Sequence, residues 1–234
     1  MRKLAVITGA TRGIGKAIAQ AFAKEGIAVI ACSRNEQELE MLKKEIEKNY
    51  SVFCYTCVAD LSLKNEVDKF VSFAKNISGE IEVLVNNTGV FIPGKIHEEE
   101  DGVLEKMIQT NLYSAYNLTR GVVKSMMTNK KGHIFNICST ASITAYENGG
   151  SYCISKFAMY GMTKVLREEM KEFGVKVTAI LPGATYTSSW EGVELPEERF
   201  MKPADVANAL MSAYKISENA VVEEIVLRPQ LGDL

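Results

Sequence analysis

The first 22 residues restrict the fold more than any other stretch. Residues 4–8 form a short apolar run that ends on Gly9, and Gly13 and Gly15 follow within seven positions. Ile14, Ile18, Ala21 and Phe22 then recur at helical spacing. This order predicts a strand, a tight turn and a helix in immediate succession. The alternation continues along the chain. Apolar runs at 27–31, 52–58, 83–85, 134–138, 175–180 and 221–227 predict six further strands. Helical patterns fall between them at 35–48, 65–74, 102–127 and 155–173. The strand runs lack a polar alternate face, which implies a parallel sheet buried on both sides by helices and joined by right-handed crossovers. The expected fold is a doubly wound α/β sheet of about seven strands.

At 234 residues, with no Pro/Gly/Ser-rich linker or long polar run, the chain is expected to form one domain over 1–234. Lys and Arg total 27 against 29 Asp and Glu, a formal charge of −2, and no basic cluster suggests a nucleic-acid partner. Lys43 and Lys44 precede E-I-E-K and read as the solvated face of a mixed-charge helix. The start, R-K-L-A-V-I-T-G, shows no signal-peptide pattern, and no segment reaches the roughly 18 apolar residues needed to span a bilayer. A cytoplasmic protein without a membrane partner is expected. Cys54 and Cys57 form a C-x-x-C, but in a strand positions i and i+3 point to opposite faces. His97 and His133 are isolated, so no metal site is expected. The five cysteines read as mainly buried thiols.

Two motifs carry chemistry. Tyr152 and Lys156, in Y-C-I-S-K, stand one helical turn apart, so the ammonium can favour the tyrosinate. A tyrosine so placed can exchange a proton with an alcohol or carbonyl oxygen. Ser139, thirteen positions earlier, could supply a second hydrogen bond to that oxygen, or could simply cap a turn. At the other motif, Gly9, Gly13 and Gly15 let the backbone approach a diphosphate at the amino end of a helix. A ribose-binding Asp or Glu is expected about twenty residues beyond such a turn. Here Ala31, Cys32, Ser33 and Arg34 stand there, with no carboxylate to repel a 2′-phosphate and with a guanidinium to attract one. The charge argument favours NADP(H).

Taken with T-G-A-T-R-G-I-G at Thr8 to Gly15, these residues resemble the classical NADP(H)-using members of the short-chain dehydrogenase/reductase family, over essentially the whole chain. The resemblance implies a Rossmann-type fold and a catalytic tetrad of Asn111, Ser139, Tyr152 and Lys156. In that role Asn111 holds a water through its backbone carbonyl, Ser139 polarises the carbonyl, Tyr152 passes the proton, and Lys156 holds the nicotinamide ribose. It implies cofactor contacts from Gly9, Thr11, Arg12, Gly13, Ile14 and Gly15. Arg12 and Arg34 match the family's two basic positions, with Ser33 as a further phosphate donor. Asp60 and Leu61 match its adenine contact; Asp60 could equally cap the next helix. Asn87, Thr88 and Gly89 fall in N-N-T-G, where the family usually has N-N-A-G, so Thr88 is a departure. Pro182, Gly183 and Thr187 match the segment that holds the carboxamide.

The substrate implied is a small carbonyl compound or secondary alcohol, with a 3-oxoacyl thioester as one candidate. The terminal R-P-Q departs from the 3-oxoacyl carrier-protein reductase branch and is closer to sepiapterin reductase-like and hydroxy-acid-oxidising relatives. A nonenzymatic NADP-binding regulator is the alternative that a fold alone never excludes. The family implies a homodimer or homotetramer formed through the helices bearing Asn111 and Tyr152, with the apolar residues near Met159 and Val165 suited to the contact. Residues 183–203 show no periodicity and contain Trp190, Glu191, Glu194, Glu197, Glu198 and Arg199. They are expected to form a substrate loop or else a surface excursion.

Overall fold

The computed structural model describes residues 1–187 and 195–233. Trp190, Glu191 and Glu194 of the expected substrate loop lie outside the described residues, as does Leu234. The strands are β1 (Lys3–Thr8), β2 (Ala28–Ser33), β3 (Cys54–Val58), β4 (Glu80–Asn86), β5 (Gly132–Ile137), β6 (Val175–Pro182) and β7 (Glu224–Leu227). They form one parallel sheet in the order β3-β2-β1-β4-β5-β6-β7. The helices between them are α1 (Gly13–Lys24), α2 (Glu36–Tyr50), α3 (Lys64–Asn76), α4 (Val103–Ile108), α5 (Ser114–Asn129), α6 (Gly150–Met170) and α7 (Pro203–Tyr214).

Alternate strand residues serve two separate cores. Ala5, Ile7, Val29, Ala31, Val83 and Val85 pack against α1, α2 and α7 through Phe22, Leu42 and Leu210. Leu4, Val6, Ile30, Leu84 and Ile134 pack against α3 and α5 through Phe70 and Leu118. Burial on both faces is why the strands read as uninterrupted apolar runs. Cys54 belongs to the first core and Cys57 to the second, as expected of positions i and i+3, and all five cysteines are buried. Among the described residues no group of His, Cys, Asp and Glu is arranged to hold a metal ion, and no helix is long and apolar enough to cross a membrane.

Several elements differ from the sequence reading, β7 among them, which begins at Glu224 rather than at residue 221. β4 begins at Glu80, three residues early, because buried Glu82 pairs with Lys3 at 3.1 Å and accepts from the Tyr214 hydroxyl at 2.8 Å. The helix read as 102–127 is broken by a π-helical turn at Gln109–Tyr113. α6 begins at Gly150 rather than at residue 155, and so carries Tyr152 in its first turn. α7 was not anticipated. Met159, expected either in the core or at a subunit contact, is buried in the core, whereas Val165 is exposed.

The sheet order reverses on either side of β1, so the connections leaving β1 and β4 splay apart. A crevice opens there beyond the carboxyl ends of the strands, the usual ligand position in such sheets.

Candidate active site

At the base of the crevice, the Thr8 hydroxyl closes β1 against β4. It accepts from the amides of Asn87 and Thr88, both at 2.9 Å, and donates to the Val85 carbonyl at 3.4 Å. The Asn87 side-chain amide returns two bonds, to the carbonyls of Thr8 at 2.9 Å and Gly9 at 3.1 Å. Gly9 and Gly13 have φ of +60° and +50°, a region L side chains rarely adopt, and a Cβ on Gly15 would lie 2.2 Å from the Gly9 carbonyl oxygen. α1 therefore starts directly on the turn. Its first turn has no side-chain cap and no acidic residue, which leaves its amides for an anion.

On the β2 side, Ser33 accepts from the Thr11 hydroxyl and the Asn35 amide, both at 3.2 Å. Arg34 is exposed. Arg12 is ion-paired with Glu38 at 2.5 Å, and this guanidinium bond holds the Glu38 carboxyl below its ordinary value. Asp60 accepts from the Ser62 amide at 3.0 Å and hydroxyl at 2.8 Å, the turn-capping use, while still lining the crevice with Leu61.

On the β5 side, Ser139 caps a short turn: its oxygen accepts from the Ala141 amide at 3.1 Å. The hydroxyl hydrogen has no acceptor among the described residues, so capping and donation into the crevice are compatible. Tyr152 lies half-buried with its ring edge-on to Phe91, centroids 4.8 Å apart at 75°. Lys156, one turn along α6, is buried and donates to the Ile137 carbonyl at 3.0 Å, its Nζ 5.8 Å from the Tyr152 ring centroid. Asn111 sits in the π-turn behind them. Its side chain exchanges bonds with the amide and carbonyl of Val90, at 2.7 and 3.0 Å. It also donates to Ser155 at 2.8 Å, and Ser155 donates to the Tyr152 carbonyl at 2.8 Å. Tyr146 and Cys138 also line the crevice. Burial raises the Tyr146 phenol further above its ordinary value and the Cys138 thiol to about 11, so neither supplies an anion near neutral pH.

The two ends belong to one cleft of about 1600 Å³, whose lining includes Thr11, Arg12, Ser33, Arg34, Asp60, Gly89, Ser139, Tyr152, Lys156 and Thr187. Its lining runs from the glycine turn and the end of β2 to Tyr152 and Lys156 on α6. A Cβ on Gly13 would meet Thr187 at 2.9 Å, and one on Gly89 would stand 3.5 Å from Lys156 Nζ, so side chains are missing where a ligand would pass. Residues 3–198 match the family model described as short chain dehydrogenase. The chain belongs to that family. A sepiapterin reductase of Chlorobaculum tepidum is 33% identical over 243 residues, covering 100% of this chain and 99% of that one. An alcohol dehydrogenase from the archaeon Thermococcus sibiricus, complexed with 5-hydroxy-NADP, superposes with a TM-score of 0.92 at 28% identity, covering 98% and 97% of the two chains. L-sorbose reductase from Gluconobacter frateurii, complexed with NADPH and L-sorbose, gives 0.88 at 25% identity, covering 97% and 95%.

Measured against this short-chain dehydrogenase cleft, nearly every residue singled out from the sequence is on its wall, Ile14, Asn87, Thr88 and Pro182 included. Gly15 and Asn111 stand just behind it. Thr88 turns its hydroxyl toward Gly9, where an added Cβ would meet it at 3.3 Å. The Gly183 amide donates to Leu227 of β7 at 2.8 Å, so it is not available to a ligand. The amides of Ala184 and Thr185, which line the cleft, have no acceptor among the described residues and can serve a carboxamide instead. Sequence reasoning missed these two, together with Phe91, Glu38 and Glu99. Glu99 accepts from the Ser151 amide at 2.8 Å and from its hydroxyl, and so caps α6 from another loop.

Proposed function

We propose that the protein is an NADP(H)-dependent oxidoreductase that reduces a small carbonyl compound to the corresponding secondary alcohol. The observation that carries this reading is the convergence of Ser139, Tyr152 and Lys156 on one end of a cleft whose other end offers Ser33, Arg12 and Arg34. The solved relatives bound to 5-hydroxy-NADP and to NADPH support the cofactor, and the sepiapterin and L-sorbose reductases support a compact carbonyl substrate.

Bound NADPH supplies the hydride. Ser139 donates its unpaired hydroxyl hydrogen to the substrate oxygen as charge develops there. Tyr152 gives its phenolic proton to the same oxygen. Phe91 fixes the tilt of the Tyr152 ring, and Lys156 places a positive charge on the same helical face, which stabilises the phenolate left behind. Asn111 holds the Tyr152 turn of α6 through Ser155.

The test uses purified protein with NADPH and a panel of diketones, aldehydes, pterins and a short 3-oxoacyl thioester. We expect turnover with the small carbonyls. Tyr152→Phe should leave NADPH affinity within a few-fold and lower turnover at least about a hundredfold. Near-normal turnover in that variant would remove Tyr152 as the proton donor, and tight NADPH binding without turnover of any carbonyl would favour a regulatory protein.

A further inference from the structure

Four charged side chains line the part of the cleft beyond the end of β2: Arg12, Arg34, Glu36 and Glu38, two of each sign. The charge argument from sequence weighed only the two arginines. Glu38 is the best placed of the acids. It sits in the first turn of α2, where Asn35 fixes it twice: the Asn35 side chain accepts from the Glu38 amide at 3.2 Å and donates to its carboxylate at 3.0 Å. The carboxylate then takes Arg12 at 2.5 Å.

The two partners differ in freedom. The Glu38 side chain is only 14% exposed, while that of Arg12 is 63% exposed. The carboxylate, held by Asn35, is the more fixed partner of the pair. Of the neutral donors nearby, Thr11 gives its hydroxyl proton to Ser33, whose own hydroxyl hydrogen has no acceptor among the described residues. A phosphate arriving at this corner finds Arg12 engaged by a fixed anion. It has to draw the guanidinium away and then lie near the carboxylate left behind.

We propose that Glu38 is a specificity-determining residue, an internal competitor that holds Arg12 and thereby limits the preference for a 2′-phosphorylated cofactor. The proposal rests on the NADP(H) reading and makes the degree of selectivity, rather than its existence, the property of this corner. Two arginines attract the phosphate; Glu38 occupies one of them until the phosphate is bound. Loss of the charge alone removes that competitor.

Glu38→Gln removes the charge and keeps an oxygen for Asn35. Calorimetric titration with 2′,5′-ADP and 5′-AMP, which differ at the 2′-phosphate and carry no nicotinamide, reads the corner without any turnover. Charge-assisted arginine–phosphate bonds are strong enough that removing the Glu38 charge from Arg12 should tighten 2′,5′-ADP about tenfold, with 5′-AMP moving less than about twofold. NADPH against NADH, followed by fluorescence, should move in the same ratio, and Glu38→Ala should move it in the same direction. Unchanged or weaker 2′,5′-ADP binding in both variants would overturn the proposal, because Glu38 would then be orienting Arg12 for the phosphate. Wild-type protein that binds 5′-AMP as tightly as 2′,5′-ADP would instead count against the NADP(H) reading, and a gain in Glu38→Gln would still support the competitor.

Discussion

The two ends of the cleft are built by different means. The end that would grip the dinucleotide is made largely of backbone: a turn with two positive-φ glycines, a third glycine with no room for a methyl group, and carbonyls tied by Asn87. The end proposed as catalytic is made of side chains brought together from four separate segments. Asn111 reaches Val90 and Ser155, Phe91 steadies Tyr152, and Glu99 caps the helix that carries it. A backbone site has little freedom to vary, since every group in it is obligatory. A side-chain site can exchange one partner for another, and it is where substrate preference can differ among relatives that share the same grip.

The sharpest way to break this division is Gly15→Ala. Its methyl would meet the Gly9 carbonyl at 2.2 Å and the Asn87 side-chain nitrogen at 2.5 Å, both already committed to bonds. We expect a stability loss on the order of 1–3 kcal/mol in thermal or urea unfolding, accompanied by loss of measurable dinucleotide binding. Asn111→Ala should act at the other end. It strands the amide and the carbonyl of Val90, at a cost of about 2 kcal/mol, and should lower turnover while dinucleotide affinity stays within about threefold, because the grip is built elsewhere. Equal loss of affinity in the two variants would show that the ends are not separable.

A smaller contrast concerns acid. The half of the sheet around β5 and β6 buries His133, stacked on Phe135 at 3.8 Å. Thr178 gives its hydroxyl proton to Val222 at 2.6 Å, so His133 must be the donor in its 2.8 Å bond to Thr178, with the proton on Nε2. Burial, aided by Lys176, depresses its pKa from 6.5 to about 3. A depressed histidine is neutral in the fold and charges on unfolding, so its contribution is complete above pH 6.5 and is lost as the pH falls toward 3. The slope from this group is at most about 1.4 kcal/mol per pH unit. The melting temperature of His133→Gln should therefore fall less steeply than that of the parent between pH 6.5 and 4. Identical slopes would remove His133 as the acid-sensitive group.

How much could be read from sequence follows the same division. The glycine turn, the alternation of strands and helices, and the one-turn spacing of Tyr152 and Lys156 are local patterns, and local patterns survive without knowledge of the fold. β4 was read short because Glu80 and Glu82 break an apolar run, and what makes a glutamate acceptable there is Tyr214, 132 residues away. α7 did carry a signal: Pro203 at its first position, then Val206, Leu210 and Ala213 buried at helical spacing. It was obscured by the irregular loop before it. Glu38, Phe91 and Glu99 had no local signal. A glutamate in the first turn of a helix looks like an ordinary answer to the helix dipole, and only the folded chain sets Glu38 against Arg12 and Glu99 against α6.

The Thr8 hydroxyl joins residues 79 and 80 positions apart. During synthesis the glycine turn is finished once Gly15 is made, yet the groups that give the turn its floor are not made until Asn87 and Thr88 emerge. For the intervening stretch of synthesis β1 has β2 as its only available neighbour, and the edge destined for β4 is bare. The glycine turn is thus written early and finished late, and a nascent chain that stops short of residue 87 carries the complete motif without its floor.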